Sequence, residues 1–188
     1  MVADASPSGA TGAVIKVNPA TGAQTPISIG GLFVDPHGIA IDAAGDLIVS
    51  EHHIDGLSTG ALIKVDPVSR VQTVLDRGGR LVRLVHVTTR SSDNQIIVAS
   101  LGGGGTPPGI IGFSPAIRVQ SVIASGVLLV APTGVTLDQS ENIFVTDAHA
   151  FGAPGGVIRI SGGGVQTEVS GGDLFVDPFD LAVYPAIP

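Results

Sequence analysis

The chain has 188 residues, 44% apolar and only 13% charged, with a formal net charge of −7. That length is enough for one domain with a sizeable core, and the nine basic residues are scattered, which excludes the electrostatic footprint of a nucleic-acid-binding surface. Cysteine is absent, so disulfides and thiol chemistry are excluded; no apolar run approaches the roughly 20 residues of a membrane helix, no basic amphipathic stretch suggests membrane binding, and residues 1–30 lack the basic and apolar regions of a signal peptide.

Short β-branched runs broken by Gly, Pro, Asp and Ser read as strands and turns throughout. Met1-Val2-Ala3-Asp4-Ala5 is a strand. Gly12-Ala13-Val14-Ile15-Lys16-Val17-Asn18-Pro19 is a second strand with its turn, and Gln24 starts a third. Next comes Pro36-His37-Gly38-Ile39-Ala40-Ile41-Asp42, with a strand at 39–42, a turn at 43–46 and a strand at 47–50. Loop 51–60 leads to a strand at 61–65, and turn 66–70 to one at 71–75. Leu84-Val85-His86-Val87 and Gln95-Ile96-Ile97-Val98-Ala99-Ser100 form a degenerate copy. Pro132-Thr133-Gly134-Val135-Thr136-Leu137-Asp138 and Glu141-Asn142-Ile143-Phe144-Val145-Thr146-Asp147 form a close one. Gly156-Val157-Ile158-Arg159-Ile160 repeats the strand at 61–65, and Gln24, Gln72, Gln120 and Gln166 recur at matching positions. The period is about 48 residues with four strands each, the size of a propeller blade.

The ends are halves of one more copy. Met1–Ala5 matches 144–148, a second strand, while 172–183 mirrors 31–41, the approach to a first strand. The expected fold is therefore all-β: a small propeller of four four-stranded blades, closed by a C-terminal first strand joined to three N-terminal strands. The blades would span about 1–35 plus 178–188, then 36–83, 84–131 and 132–177. The alternative is that chains join head to tail, the last strand completing a neighbour's blade in an eight-bladed dimer or a fibre. A third possibility is a piece of a longer propeller.

The signature Pro-x-Gly-Ile-Ala-Ile-Asp-x-x-Gly-Asp-Leu-Ile-Val at 36–49, copied at 132–145, resembles NHL-repeat propellers, a superfamily that includes regucalcin/gluconolactonase-like and virginiamycin-lyase-like propellers. The resemblance covers nearly the whole chain and implies the propeller fold. For function it implies a range, from protein-binding modules to metal-dependent hydrolases and lyases. The chain departs from the usual six or more blades.

In such a fold the loops between blades and those after each second strand share one face. All five histidines map there: His37 and His86 where inner strands begin, and His52, His53 and His149 in the loops. Asp4, Glu51 and Asp147 occupy one equivalent position, with Ser100 in the remaining copy. His86 and Asp180 replace Gly38 and Gly134 and would face each other across the axis through water. The candidate ligand-binding residues are thus His86, Asp180, His37, Glu51, His52, His53, Asp147 and His149. A divalent metal, the one cofactor these residues suggest, would sit on His86, Asp180, Glu51 and Asp147. Imidazole and carboxylate could also form an acid–base pair.

Each residue also has a plainer role. Asp4, Glu51 and Asp147 would accept hydrogen bonds from their own loop backbone. His52 and His53 are adjacent, so at most one joins a site. Asp35, Asp66 and Asp177 read as turn formers, and the four glutamines as edge positions. Gly102-Gly103-Gly104-Gly105 lacks the lysine of a phosphate loop, and Ser6, Ser58 and Ser100 lack a nucleophile elbow. No catalytic residue is assigned. The expectation is a non-catalytic scaffold for ligand or protein binding or self-assembly, with a metal-assisted lyase or hydrolase as the alternative. Low charge points to a surface partly covered by a protein partner or another copy. A secreted or cell-surface bacterial protein is expected ahead of a cytoplasmic one.

Overall fold

Strand formation follows the β-branched runs. The computed structural model describes residues 1–5, 11–54, 58–152, 154–172 and 174–184; Ser6, Asp173 and the last four residues of the expected closing segment, 185–188, lie outside them. In chain order the strands are β1 (Val2–Asp4), β2 (Ala13–Val17), β3 (Gln24–Ile29), β4 (Pro36–Ile41), β5 (Leu47–Glu51), β6 (Thr59–Val65), β7 (Gln72–Val82), β8 (Leu84–Thr89), β9 (Ile96–Ser100), β10 (Gly109–Ser114), β11 (Val119–Ser125), β12 (Pro132–Leu137), β13 (Ile143–Asp147), β14 (Gly156–Ile160) and β15 (Gln166–Gly171). A 3₁₀ turn, Ala150–Gly152, follows β13.

Neighbouring strands pair antiparallel in sequence order, giving the sheets β1-β2-β3, β4 to β7, β8 to β11 and β12 to β15. Matched registers repeat: Val49 faces Ile63 as Val98 faces Ile111 and Val145 faces Ile158. The sheets stack in succession, with β1 on β4, β4 on β8 and β8 on β12.

Stacking explains why the second strands read as apolar runs and not as alternations. Every residue of β5 and β9 is buried. Side chains alternate between faces along a strand. Leu47 and Val49 therefore meet Val14 and Ile27 of the first sheet and Phe33 of the loop after it, while Ile48 meets Leu81, Leu84 and Val87 on the other side. Ile96 and Val98 continue that second cluster, and Ile97 and Ala99 pack with Val135, Val145 and Ile158 of the last sheet. Each such side chain contributes about 1.5–3 kcal/mol by leaving water.

The recurrent glutamines join neighbouring sheets. Gln72 Oε1 accepts from Leu32 N at 2.5 Å, and its Nε2 donates to Ser28 Oγ and Gly30 O, both at 2.8 Å. Gln120 repeats this on Arg80 N, Asp76 Oδ2 and Gly78 O. Gln166 does so on Leu128 N and Ser125 O. These side chains are staples between blades, more than the edge positions their sequence suggests.

One expectation needs correction. The first sheet has three strands, and among the described residues no ladder joins residues 178–184 to β1. The tail lies instead along β12, in the place an inner strand of a following blade would take. Thr133 Oγ1 donates to Pro178 O at 2.7 Å. A Cβ on Gly134 would stand 2.8 Å from Asp180 Cα, just as one on Gly38 would stand 2.9 Å from His86 Cα. Docking against the preceding inner strand places the tail; pairing with β1 does not. No helix of the described residues is long and apolar enough to cross a membrane.

Candidate functional site

The equivalent residues at the ends of β5, β9 and β13 are all buried, and each holds the loop that leads into its own blade. Glu51 Oε2 accepts from the Val34 and Asp35 amides at 3.0 and 2.8 Å. Asp147 accepts from Val130 and Ala131, and from His149 two residues on. Ser100 donates its hydroxyl to Val82 O at 2.7 Å. The bonded backbone is mainly the loop before the blade's first strand, some 16 or 17 residues upstream for the two acids, so the contact is tertiary where the sequence suggested a local turn.

Glu51 differs from Asp147 in one respect. Its second oxygen, Oε1, is buried and has no hydrogen-bond partner among the described residues. Burial pushes this carboxyl above its ordinary value, against the two amide bonds that pull it down.

Three imidazoles gather beside it. His37 Nε2 is 3.3 Å from Asp35 Oδ1, and His53 Nδ1 is 2.8 Å from Asp35 Oδ2. The latter approach is off the direction of a good hydrogen bond, which leaves that buried nitrogen without a well-aimed acceptor. His52 stacks on His37 with ring centroids 4.6 Å apart and stands edge-on to His53 at 5.7 Å. Its Nδ1 lies 3.1 Å from Leu84 O of the next blade. Burial, then the neighbouring His37, lowers the His52 pKa. Both adjacent histidines therefore join the cluster, contrary to the expectation that at most one would, because the loop folds around Asp35. His52 N donates to Asp35 O at 2.9 Å and holds that fold.

The pair His86 and Asp180 meets directly. His86 Nε2 is 3.4 Å from Asp180 Oδ1, and Nδ1 is 3.1 Å from Val135 O. The bare Cα of Gly134 leaves room for that carboxylate, since a Cβ there would stand 3.0 Å from Asp180 Oδ1. His149 is exposed and stays apart from both groups.

The structure thus divides the expected residues. It brings together His37, His52, His53 and Glu51 around Asp35, and separately His86 with Asp180. Asp147 is engaged by its loop. Among the described residues no three His, Cys, Asp or Glu side chains converge as metal ligands. The metal set His86, Asp180, Glu51 and Asp147 therefore lacks the required fit. Asp35 was missed as the organiser of the imidazoles, having been read as a turn former. Its spacing from His37, two residues along an extended segment, places both side chains on one face.

No family model and no curated protein matches this chain. Solved structures do. A chain of the nidogen/laminin complex superposes with a TM-score of 0.74 at 19% identity, covering 93% of this chain and 61% of that one. A gluconolactonase from Xanthomonas campestris gives 0.67 at 14% identity, covering 90% and 59%. Virginiamycin B lyase from Staphylococcus aureus gives 0.61 at 13%, covering 88% and 51%. The chain spans between half and three-fifths of the length of these structures. Repeated antiparallel sheets, stacked in order and matched along nearly the whole chain by these structures, make this chain a β-propeller in fold.

Proposed function

We propose that the chain is a non-catalytic propeller scaffold that binds a partner protein or ligand and assembles through its blades. The observation that carries this reading is the use made of the buried acids. Asp147 is taken up by backbone amides of the loop it closes, and Glu51 by two more. The carboxylate oxygens that accept these bonds are thereby committed to the shape of the loops, which is what a binding surface requires. An exposed apolar run of Leu174, Val176, Phe179 and Tyr184 adds a surface of the kind that partners cover. One similar structure was solved as a complex of nidogen with laminin.

The alternative, a metal-assisted lyase or hydrolase, keeps one support: the buried, unpartnered Oε1 of Glu51 beside the imidazoles. Calorimetric titration with Mg²⁺, Ca²⁺, Mn²⁺ and Zn²⁺ separates the two. The scaffold reading expects no saturable heat from any of the four. A saturating isotherm that disappears in Glu51→Gln would replace it with the enzyme reading.

A further inference from the structure

Between the loop joining β3 to β4 and the sheet of β4 to β7 lies an open cleft of about 220 Å³. Its lining is apolar: Leu32 and Val34 of the loop, Ile54 after β5, Ala61 and Ile63 of β6, and Val74 of β7. Arg77 adds the one charge among the described lining residues. Its side chain is exposed, and among the described residues its guanidinium has no hydrogen-bond or ion-pair partner.

The loop wall is held in place from two sides. Gln72 Oε1 accepts from Leu32 N at 2.5 Å, and buried Glu51 accepts from Val34 N at 3.0 Å. The cleft is therefore preformed, and an occupant has no loop to order on entering. Leu32 and Val34 are nevertheless 38% and 45% exposed, apolar surface that an occupant would take out of water.

The last blade shows what kind of group fits the matching place. Four residues after Asp147, the counterpart of Glu51, Phe151 turns its ring over β14 and β15. A Cβ on Gly156 would stand 2.7 Å from that ring, and one on Gly171 2.4 Å. Phe151 packs there against the cluster that contains Leu129 and Ile158. Gly156 pairs with Gly171 as Ala61 pairs with Arg77. The second blade thus carries side chains where the last one carries bare backbone, and among the described residues it supplies no ring of its own. The other two sheets put Ser125 and Ile29 at the register of Arg77. A cation at this position belongs to the second blade alone.

We infer that the cleft is a binding site for a small aromatic carboxylate, its ring against Leu32, Val34 and Ile63 and its acid on Arg77. The ring is the group the last blade uses in the matching place, and an apolar cavity of about 150 Å³ is enough to take up benzene. The acid follows from the unpaired guanidinium. Asp35 and Asp76, each next in sequence to a lining residue, are committed elsewhere: Asp35 lies against His37 and His53, and Asp76 Oδ2 accepts from Gln120 Nε2 of the next blade. This inference deepens the ligand-binding part of the reading above and rests on it.

Benzoate, phenylacetate and hydrocinnamate are titrated into the isotope-labelled chain and followed by amide chemical shifts, with phenylethanol as the neutral control. At least one acid is expected to saturate at about millimolar concentration, shifting the amides of Leu32, Val34 and Ala61, and phenylethanol to bind more weakly. Arg77→Gln is expected to weaken the acid about fivefold or more and to leave phenylethanol unchanged. Val34→Trp, checked for folding by circular dichroism, narrows the cleft and is expected to abolish both. Saturable binding by none of the acids overturns the inference. So does an acid that binds Arg77→Gln or Val34→Trp as tightly as the parent. A metal isotherm that disappears in Glu51→Gln would fail the scaffold reading but leave the Arg77 dependence of these titrations in place.

Discussion

Glu51 shows how one buried oxygen ties a residue to pH. Two amides hold Oε2, and nothing among the described residues meets Oε1, so desolvation wins and the carboxyl titrates above its ordinary 4.5. Between that value and the raised one, the folded chain holds the proton more tightly than the unfolded chain. Stability therefore falls as pH rises through this window. Glu51→Gln keeps an acceptor for the two amides and removes the charge. Its thermal midpoint is expected to lose this decline, and to equal or exceed that of the parent at neutral pH. His52 works in the opposite sense. Burial and His37 lower its pKa below 6.5, so protonation is easier in the unfolded chain. Stability is then full above 6.5 and falls as pH drops through the lowered value. His52→Phe is expected to flatten this acid limb in denaturant titrations at a series of pH values. Asp35, which gathers the imidazoles, carries no sequence signal of its own beyond its spacing from His37. The contact with His53 spans a loop whose path only packing decides.

At the scale of elements, the stapling glutamines and the bare inner strands can be tested separately. Gln120→Ala removes hydrogen bonds to Arg80 N, Asp76 Oδ2 and Gly78 O at once. Partly exposed bonds of this kind contribute about 1 kcal/mol each, and water replaces some of them, so a loss of about 1–2 kcal/mol is expected in chemical denaturation. Gly134→Ala acts through space. The added carbon would lie 2.5 Å from Thr146 Oγ1 and 2.8 Å from the backbone of Asp180. It should cost about 1–3 kcal/mol by overpacking and push the tail off β12, which a rise in amide exchange at residues 178–183 would report. Strand positions, turns and the four-strand period were legible because β-branched runs and Gly-Asp turns act locally. The role of the glutamines was not, because the loops they staple lie roughly 40 residues away.

For the whole molecule, burial predicts a gradient of stability. β5, β6, β9 and β10 sit between sheets and are buried almost throughout, whereas β1 and β3 are largely open. Native-state hydrogen exchange should be slowest in those central strands and fastest in the first sheet. The repeat by itself determined the architecture. A period of about 48 residues with four strands cannot bury its apolar faces alone and must stack on its own copies. It also determined which positions are inward, since register repeats with sequence. Tertiary structure alone decided where the ends go and what the acids do. The tail docks along β12, and Glu51 and Asp147 turn to loop amides. The physical reason is range: strand pattern is written in neighbours along the chain, while docking of a terminal strand and the capping of an amide depend on which surfaces stacking brings within about 3 Å.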